Sequence, residues 1–350
     1  MKRVLVVRND KIGDFMLSWP AFALLKEAGC HVTALVPQYT APLARLCASI
    51  DEIIIDPGRD SAYAEQLALV REIVDAKFDA AIAFFSNWRN AVLLRHVKIP
   101  YRLAPATKIA QFLYTHRLTQ RRSRSEKPEW QYNLDLALYF LRDYGLPVRP
   151  VSAPYLNVVD ERKRVVRLEI SKSLAIDEAV DWMMVHVGSG GSANNLSLAQ
   201  YEALIVDLGK AFPKSQIILS AGPAEEATVA DLVSSLTAQR LRVVMFYPRE
   251  GLTALVEGIS NAVCFIAGST GPLHIAGALD VPTVGFYTRR RSATELRWKT
   301  LNTPPRHLAF SVPAESKNPE DFSQIDLKAV VREISAWLPE VPGSNPNPKP

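Results

Sequence analysis

One acid and two loops of small, donor-rich residues carry the chemistry that this chain offers. Asp14 ends the run Arg8-Asn9-Asp10-Lys11-Ile12-Gly13-Asp14, which follows the unbroken apolar stretch 4–7. Far downstream, Gly268-Ser269-Thr270-Gly271-Pro272 joins apolar residues 263–267 to a stretch, 273–279, with apolar side chains at helical spacing. Pro272 sits where a first helical residue belongs, so the amides from Ser269 to Leu273 are expected to point, unpaired, out of a helix N-terminus. Free N–H groups at the positive end of a helix dipole hold phosphates, and Gly271 lets a ligand come close to the backbone. His274, in the first turn, is placed to reach the same ligand. Taken alone, these residues also suit an ordinary α/β loop with a half-buried histidine. A second loop favours the anion site: His186-Val187-Gly188-Ser189-Gly190-Gly191-Ser192-Ala193-Asn194-Asn195 offers backbone and hydroxyl donors at the end of another strand. It is neither a GxGxxG motif nor a P-loop. Two such loops at carboxyl ends of strands in one sheet suit a diphosphate.

The elements that position these residues alternate regularly. Apolar runs predict strands at 4–7, 31–37, 52–55 and 80–85, with helices at 15–28, 63–76 and 132–144. The βαβ opening puts Gly13 and Asp14 at the carboxyl end of the first strand, where open parallel sheets place ligands. Asp14 is equally at home as an N-cap or first-turn carboxylate favoured by the helix dipole. A second half repeats the pattern, with strands at 181–187, 216–220 and 242–246 and helices at 198–212, 225–236 and 252–260. Strands alternating with helices mean parallel sheets, so the fold class is α/β, with two Rossmann-like, doubly wound domains facing across a cleft. Pro147, Pro150 and Pro154 mark the connection between them. The expected division is residues 1–155, a linker region 156–180 holding a charged helix at 160–174, a second domain 181–340 and a disordered tail 341–350.

Composition narrows the setting. The chain has 350 residues, 48% hydrophobic and 22% charged, enough for two ordinary domains. Cys30, Cys47 and Cys264 lie far apart without CxxC spacing, which suggests neither disulfides nor a zinc site. No apolar run approaches the ~20 residues of a membrane span, and no signal peptide is evident, so a cytoplasmic protein is expected. From Arg89 to Lys127 the chain carries ten Lys and Arg residues against the single acid Glu126, a larger positive excess than the whole chain's net charge of +5. That run is either a solvated face or a docking surface for a polyanion such as a phospholipid surface or a phosphorylated glycan. No nucleic-acid motif accompanies it.

With these motifs in place, the chain resembles glycosyltransferase family 9, the ADP-heptose:lipopolysaccharide heptosyltransferases, whose fold is GT-B. The resemblance rests on Lys11-Ile12-Gly13-Asp14, the small-residue loop 186–195, the turn Gly222-Pro223-Ala224-Glu225 and, most specifically, Thr270-Gly271-Pro272-Leu273-His274. It implies that Asp14 is the catalytic base of an inverting transfer. Ser189, Gly190, Gly191, Ser192, Thr270 and Gly271 would contact the donor diphosphate and Glu225 or Glu226 the ribose, with Asn194, Ser269, Pro272 and His274 expected in the same donor site. Lys11, Gly13, Arg121, Arg122 and Arg124 would meet the acceptor. The implied partners are a nucleoside-diphosphate sugar, ADP-heptose by family, and a lipopolysaccharide inner-core acceptor at the cytoplasmic face of the inner membrane, with the protein peripheral to that membrane and no nucleic acid involved. No cofactor is implied. No metal is implied either, and the sequence holds no Asp-x-Asp. Two positions depart from the family pattern: Asn194 stands where many members carry lysine, and Ser269 where many carry an acid. Arg289, Arg290 and Arg291 could supply a replacement cation. A GT-B-fold nucleotide-sugar epimerase and a non-catalytic polyanion-binding scaffold remain as alternatives.

Overall fold

The computed structural model describes residues 1–188, 194–222 and 224–342. The expected phosphate-loop residues Ser189, Gly190, Gly191 and Ser192, with Ala193, lie outside the described residues, as do Pro223 and residues 343–350. The chain divides into two compact units, the first ending at Leu156 and the second starting at Asn157. Each is built on a six-stranded, wholly parallel sheet.

In the first unit, β1 (Arg3–Val7) leads into α1 (Ile12–Met16) and α2 (Trp19–Glu27). β2 (His31–Pro37), α3 (Ala41–Leu46), β3 (Glu52–Asp56) and α4 (Tyr63–Asp75) follow. Then come β4 (Ala80–Ala83), α5 (Trp88–His96), β5 (Tyr101–Pro105), β6 (His116–Leu118) and α6 (Glu129–Asp143). The strand order is β3-β2-β1-β4-β5-β6. The direction of strand succession reverses between β1 and β4, which is where open parallel sheets bind ligands. β1 reads as a continuous apolar run because helices cover both its faces, and Val4 to Val7 are fully buried.

The single helix expected over residues 15–28 is two. Pro20 has no amide hydrogen to continue a helix, so α1 stops and α2 restarts one residue after Ser18. The broken turn is held from outside, where Asn133 of α6 donates to the Leu17 carbonyl at 3.1 Å. Phe15 locks α1 down through edge contacts with Trp19 and Phe22 at 5.9 and 6.0 Å. Asp14 therefore lies within a helix, as a first-turn residue, and Lys11 is the N-cap.

The second unit opens with α7 (Asp160–Leu174), then β7 (Trp182–His186), α8 (Leu198–Ala211), β8 (Gln216–Ser220), α9 (Glu226–Ala238) and β9 (Val243–Phe246). α10 (Leu252–Ile259), β10 (Cys264–Gly268), α11 (Gly271–Ala278), β11 (Thr283–Tyr287), β12 (His307–Ser311) and α12 (Leu327–Trp337) complete it. Its order, β12-β11-β10-β7-β8-β9, reverses between β7 and β10. Both donor-rich loops follow these two strands. β5, β6 and β12 go beyond the sequence expectation, because Arg102 and Pro105 in β5, Arg117 in β6, and the terminal His307 and Ser311 of β12 break or shorten their apolar runs. α11 begins at Gly271, one residue before Pro272, with Thr270 as its N-cap.

The rear of α11 fits tightly against the segment before β12. A Cβ on Gly277 would stand 2.7 Å from Thr300 Cβ and 3.1 Å from the Leu301 amide nitrogen. Gly277→Ala gains up to ~1 kcal/mol of helix propensity but overpacks a rigid backbone at ~1–3 kcal/mol, so net destabilisation is expected. Urea unfolding measures it; an unchanged or raised midpoint would show this packing to be loose.

Candidate active site

The loop after β1 is organised by a buried cation. Arg8 is 1% exposed and lies among three carboxylates. Its Nη2 donates to Asp14 Oδ1 at 2.6 Å and stands 3.8 Å from Glu129 Oε1. Its Nε is 3.1 Å from Asp10 Oδ1, close enough for an ion pair but off the line of a hydrogen bond. Burial works against the Arg8 charge, yet Asp10, Asp14 and Glu129 more than offset it and hold the guanidinium above its usual range. Asp10 moves the other way. Burial first, and then the neighbouring Asp14 and Glu129 charges, push it up to about 7 against the pull of Arg8. Glu129 also receives Arg122 Nη1 at 2.8 Å. Among the residues expected at the acceptor, Lys11, Arg121 and Arg124 are exposed, Gly13 is half-buried, and Arg122 is half-buried in this network.

A second cluster ties the ends of β1 and β3 to α5. Arg89 grips Asp56 with two hydrogen bonds of 2.7 Å. Burial disfavours the Asp56 charge, but Arg89, the Gly58 amide and Asn9 hold it below the usual carboxylate range. Asn9 and Asn90 exchange side-chain hydrogen bonds of 2.9 and 2.8 Å. The basic run from Arg89 to Lys127 is thus divided. Arg89 and Arg122 serve internal acids, and Arg102 bonds the Ile99 and Leu113 carbonyls, while Lys108, Arg117 and Arg121 face solvent.

In the second unit, Asn195 and Tyr201 tie the two donor loops together. Tyr201 donates to Asn195 Oδ1 at 2.6 Å and accepts from the Gly268 amide at 3.2 Å. Asn195 Nδ2 donates to the Val187 and Gly188 carbonyls, both at 3.2 Å. Thr270 stands at the N-cap of α11, where a threonine hydroxyl ordinarily accepts from a first-turn amide, yet it makes no capping bond. Its Oγ1 is buried without a hydrogen-bond partner, and so is His274 Nδ1. Burial, reinforced by His307, pushes His274 down to about 3, so the imidazole is neutral. Ser269, Gly271 and Pro272 are half-buried beside them.

The structure separates the two candidate ribose contacts. Glu225 accepts from the Gly222 amide at 3.0 Å, and its carboxylate packs so closely on Gly188 that a Cβ there would collide with it. Glu226 pairs with Arg249 at 3.5 Å. Asn194 donates to Glu320 at 3.1 Å, and Arg290 approaches the same carboxylate oxygen at 3.4 Å. Of the three arginines, Arg289 is bound to the Pro319 and Ser316 carbonyl segment, and Arg291 is exposed.

A model of glycosyltransferase family 9 (heptosyltransferase) matches residues 66–320. A Haemophilus influenzae protein whose name proposes it as a glycosyltransferase is 44% identical over 340 residues, covering 97% of each chain. The chain belongs to glycosyltransferase family 9. Two solved structures share its fold. A family 9 glycosyltransferase from Veillonella parvula has a TM-score of 0.80 at 16% identity, over 97% of this chain and 98% of its own. E. coli ADP-heptose lps heptosyltransferase II has a TM-score of 0.78 at 18% identity, over 97% and 99%. Family membership makes this chain a glycosyltransferase and its two sheets the Rossmann-like halves of a GT-B fold.

Sequence reasoning missed Arg8, Asp10, Glu129 and Tyr201 in this family 9 chain. Arg8 and Asp10 stand beside Asp14 in the sequence, and an arginine directly after a buried strand is the one signal that could have flagged them. Glu129 and Tyr201 reach their sites across sequence separations that no local pattern records.

Asp10 gives a pH test. A carboxyl whose folded pKa is raised binds its proton more tightly in the folded state, so stability falls as pH rises from the unfolded value near 4 toward about 7. Asp10→Asn removes that loss. The melting temperature of the variant relative to the native chain should climb between about pH 4 and 7 and stay level above; a constant difference would place Asp10 in an ordinary, solvated setting.

Proposed function

We propose that this chain transfers a heptose from ADP-heptose to a lipopolysaccharide inner-core sugar with inversion, without a metal, at the cytoplasmic face of the inner membrane. The observation that carries the donor half is Thr270: an N-cap hydroxyl buried at a helix N-terminus with nothing to bond. An unmet polar atom costs ~1–3 kcal/mol, and an arriving diphosphate oxygen would relieve it. His274 Nδ1 sits in the same first turn with the same deficit, and its neutral ring can carry the proton on Nδ1 to donate. The heptose and ADP assignments draw on the family description and on the name of the E. coli structure of like fold.

Asp14 is the proposed base. A transfer with inversion needs one group to take the acceptor hydroxyl proton as that oxygen attacks the anomeric carbon, while the nucleoside diphosphate leaves. The carboxylate is partly exposed, and Arg8 fixes one of its oxygens. Negative charge grows on the departing phosphate oxygens, where the α11 amides, Thr270 and His274 would stabilise it. Arg121 and Arg124 are exposed cations suited to the phosphates of the acceptor core.

Three measurements test this reading. ADP at ~100 times its dissociation constant should add ~2.7 kcal/mol of stability, and UDP or GDP much less; equal stabilisation by UDP would remove adenine recognition. Asp14→Asn should keep ADP affinity and lose ~100- to 10,000-fold in turnover, the usual worth of a positioned base; a native rate would leave Asp14 as a helix residue only. Thr270→Val keeps shape and removes the stranded hydroxyl, so the free protein should gain about 1 kcal/mol while ADP binding weakens at least tenfold, ~1.4 kcal/mol. Native affinity by calorimetric titration would take Thr270 out of the site.

A further inference from the structure

The same edge of the first unit's sheet carries a second surface. Because all six strands run parallel, the segments after β3, β4 and β5 emerge on one side. Each presents a large side chain to solvent: Tyr63 at 82% exposure, Trp88 at 60%, Ile109 at 75% and Phe112 at 69%. Ile109 and Phe112 lie on a short 3₁₀ turn, Ile109–Leu113, packed against α5, which begins at Trp88. Trp88, Ile109 and Phe112, on the packed segments that follow β4 and β5, make a run of exposed apolar groups of the kind that marks an interaction surface, whereas Tyr63 follows β3 at the far edge of the sheet.

The charge around them selects the partner. No Asp or Glu occurs between Trp88 and Ser125. Lys108 directly precedes Ile109, and the Arg117 guanidinium lies 5.5 Å from the Phe112 ring centroid. Both cations are exposed and neither has an ion-pair partner among the described residues. Aromatic and aliphatic side chains interleaved with unpaired Lys and Arg fit the headgroup layer of an anionic membrane, where rings sit at the interface and cations meet phosphates. A soluble polyanion would use the cations and leave Ile109 and Phe112 without purpose. No helix among the described residues is long and apolar enough to cross a bilayer.

We propose that this rim seats the protein on an anionic phospholipid surface, with Ile109 and Phe112 inserted among the headgroups and Lys108 and Arg117 on their phosphates. The inference rests on the proposed lipid-linked acceptor for its purpose, but the contact is tested without any acceptor. The full chain is sedimented with vesicles of phosphatidylcholine alone or mixed with phosphatidylglycerol. The native protein should sediment with the mixed vesicles and stay in solution with phosphatidylcholine, and the binding should weaken as salt rises. Ile109→Ser/Phe112→Ser and Lys108→Ser/Arg117→Ser should each lower vesicle affinity at least about tenfold, with unchanged melting temperature, because all four side chains are already exposed. Transfer to a water-soluble acceptor fragment should be unaffected in both variants. Native vesicle binding by either variant overturns the proposal. So does a native protein that ignores the mixed vesicles, or a pair of apolar side chains whose replacement only dissociates a dimer in light scattering. Vesicle binding without transfer to any core fragment would leave this surface standing and sink the acceptor assignment instead.

Discussion

The first unit depends on keeping one buried arginine charged. Removing a guanidinium from water costs several kcal/mol, and only well-placed carboxylates offset that. Arg8 has three of them: Asp10 on its own loop, Asp14 on α1 and Glu129 on α6. This pairing ties the loop after β1 to α6, which packs on α2 and holds the Leu17 carbonyl just after the helix that carries Asp14. Arg8 and Arg122 together bring two positive charges to a site with three carboxyls, and the raised Asp10 is the physical response: the acid that Arg8 approaches without a hydrogen bond is pushed toward its protonated form, which evens the count. A site made this way is rigid, because moving any member strands a charge.

The second unit solves the same problem with neutral groups. Asn195 uses both ends of its amide, donating to the Val187 and Gly188 carbonyls and accepting from Tyr201, whose hydroxyl also takes the Gly268 amide. Two loops from neighbouring strands are thereby held at fixed separation without placing a formal charge between them. The proposed diphosphate site would benefit from that neutrality, since a bridging carboxylate would repel the ligand.

The sheets were largely legible in the sequence because their central strands are buried on both faces and must be apolar throughout. Three strands were not: β5 contains Arg102, the edge strand β6 contains Arg117, and the edge strand β12 begins with His307. Asp14 and Thr270 to His274 were legible because each sits at a strand-to-helix junction, a local feature. What a guanidinium pairs with is not local. The run of arginines from Arg89 onward looked uniform in sequence, yet the strands crossing it send Arg89 to Asp56, Arg122 to Glu129 and Lys108 and Arg117 to the surface. Charge patterning counts charges; only the fold divides them into structural and available ones.

The two halves also differ in how stability relates to the proposed function. At Asp14 the two agree, because the ion pair that makes the loop stable is the contact that orients the carboxylate, so damage to Arg8 would harm both. At Thr270 and His274 they conflict. A site that receives an anion keeps donors unspent in the free protein, and Thr270 Oγ1 and His274 Nδ1, buried without partners, meet that requirement of the proposed function. Both cost the free protein stability, since apolar groups of the same shape would fold better; buried polar atoms without partners also occur elsewhere, at Trp19 and Trp182 among others, so it is the position of these two at the start of α11 that matters. Their place in the segment Thr270-Gly271-Pro272-Leu273-His274, which most specifically resembles the family, is what favours the proposed anion site over an ordinary helix cap.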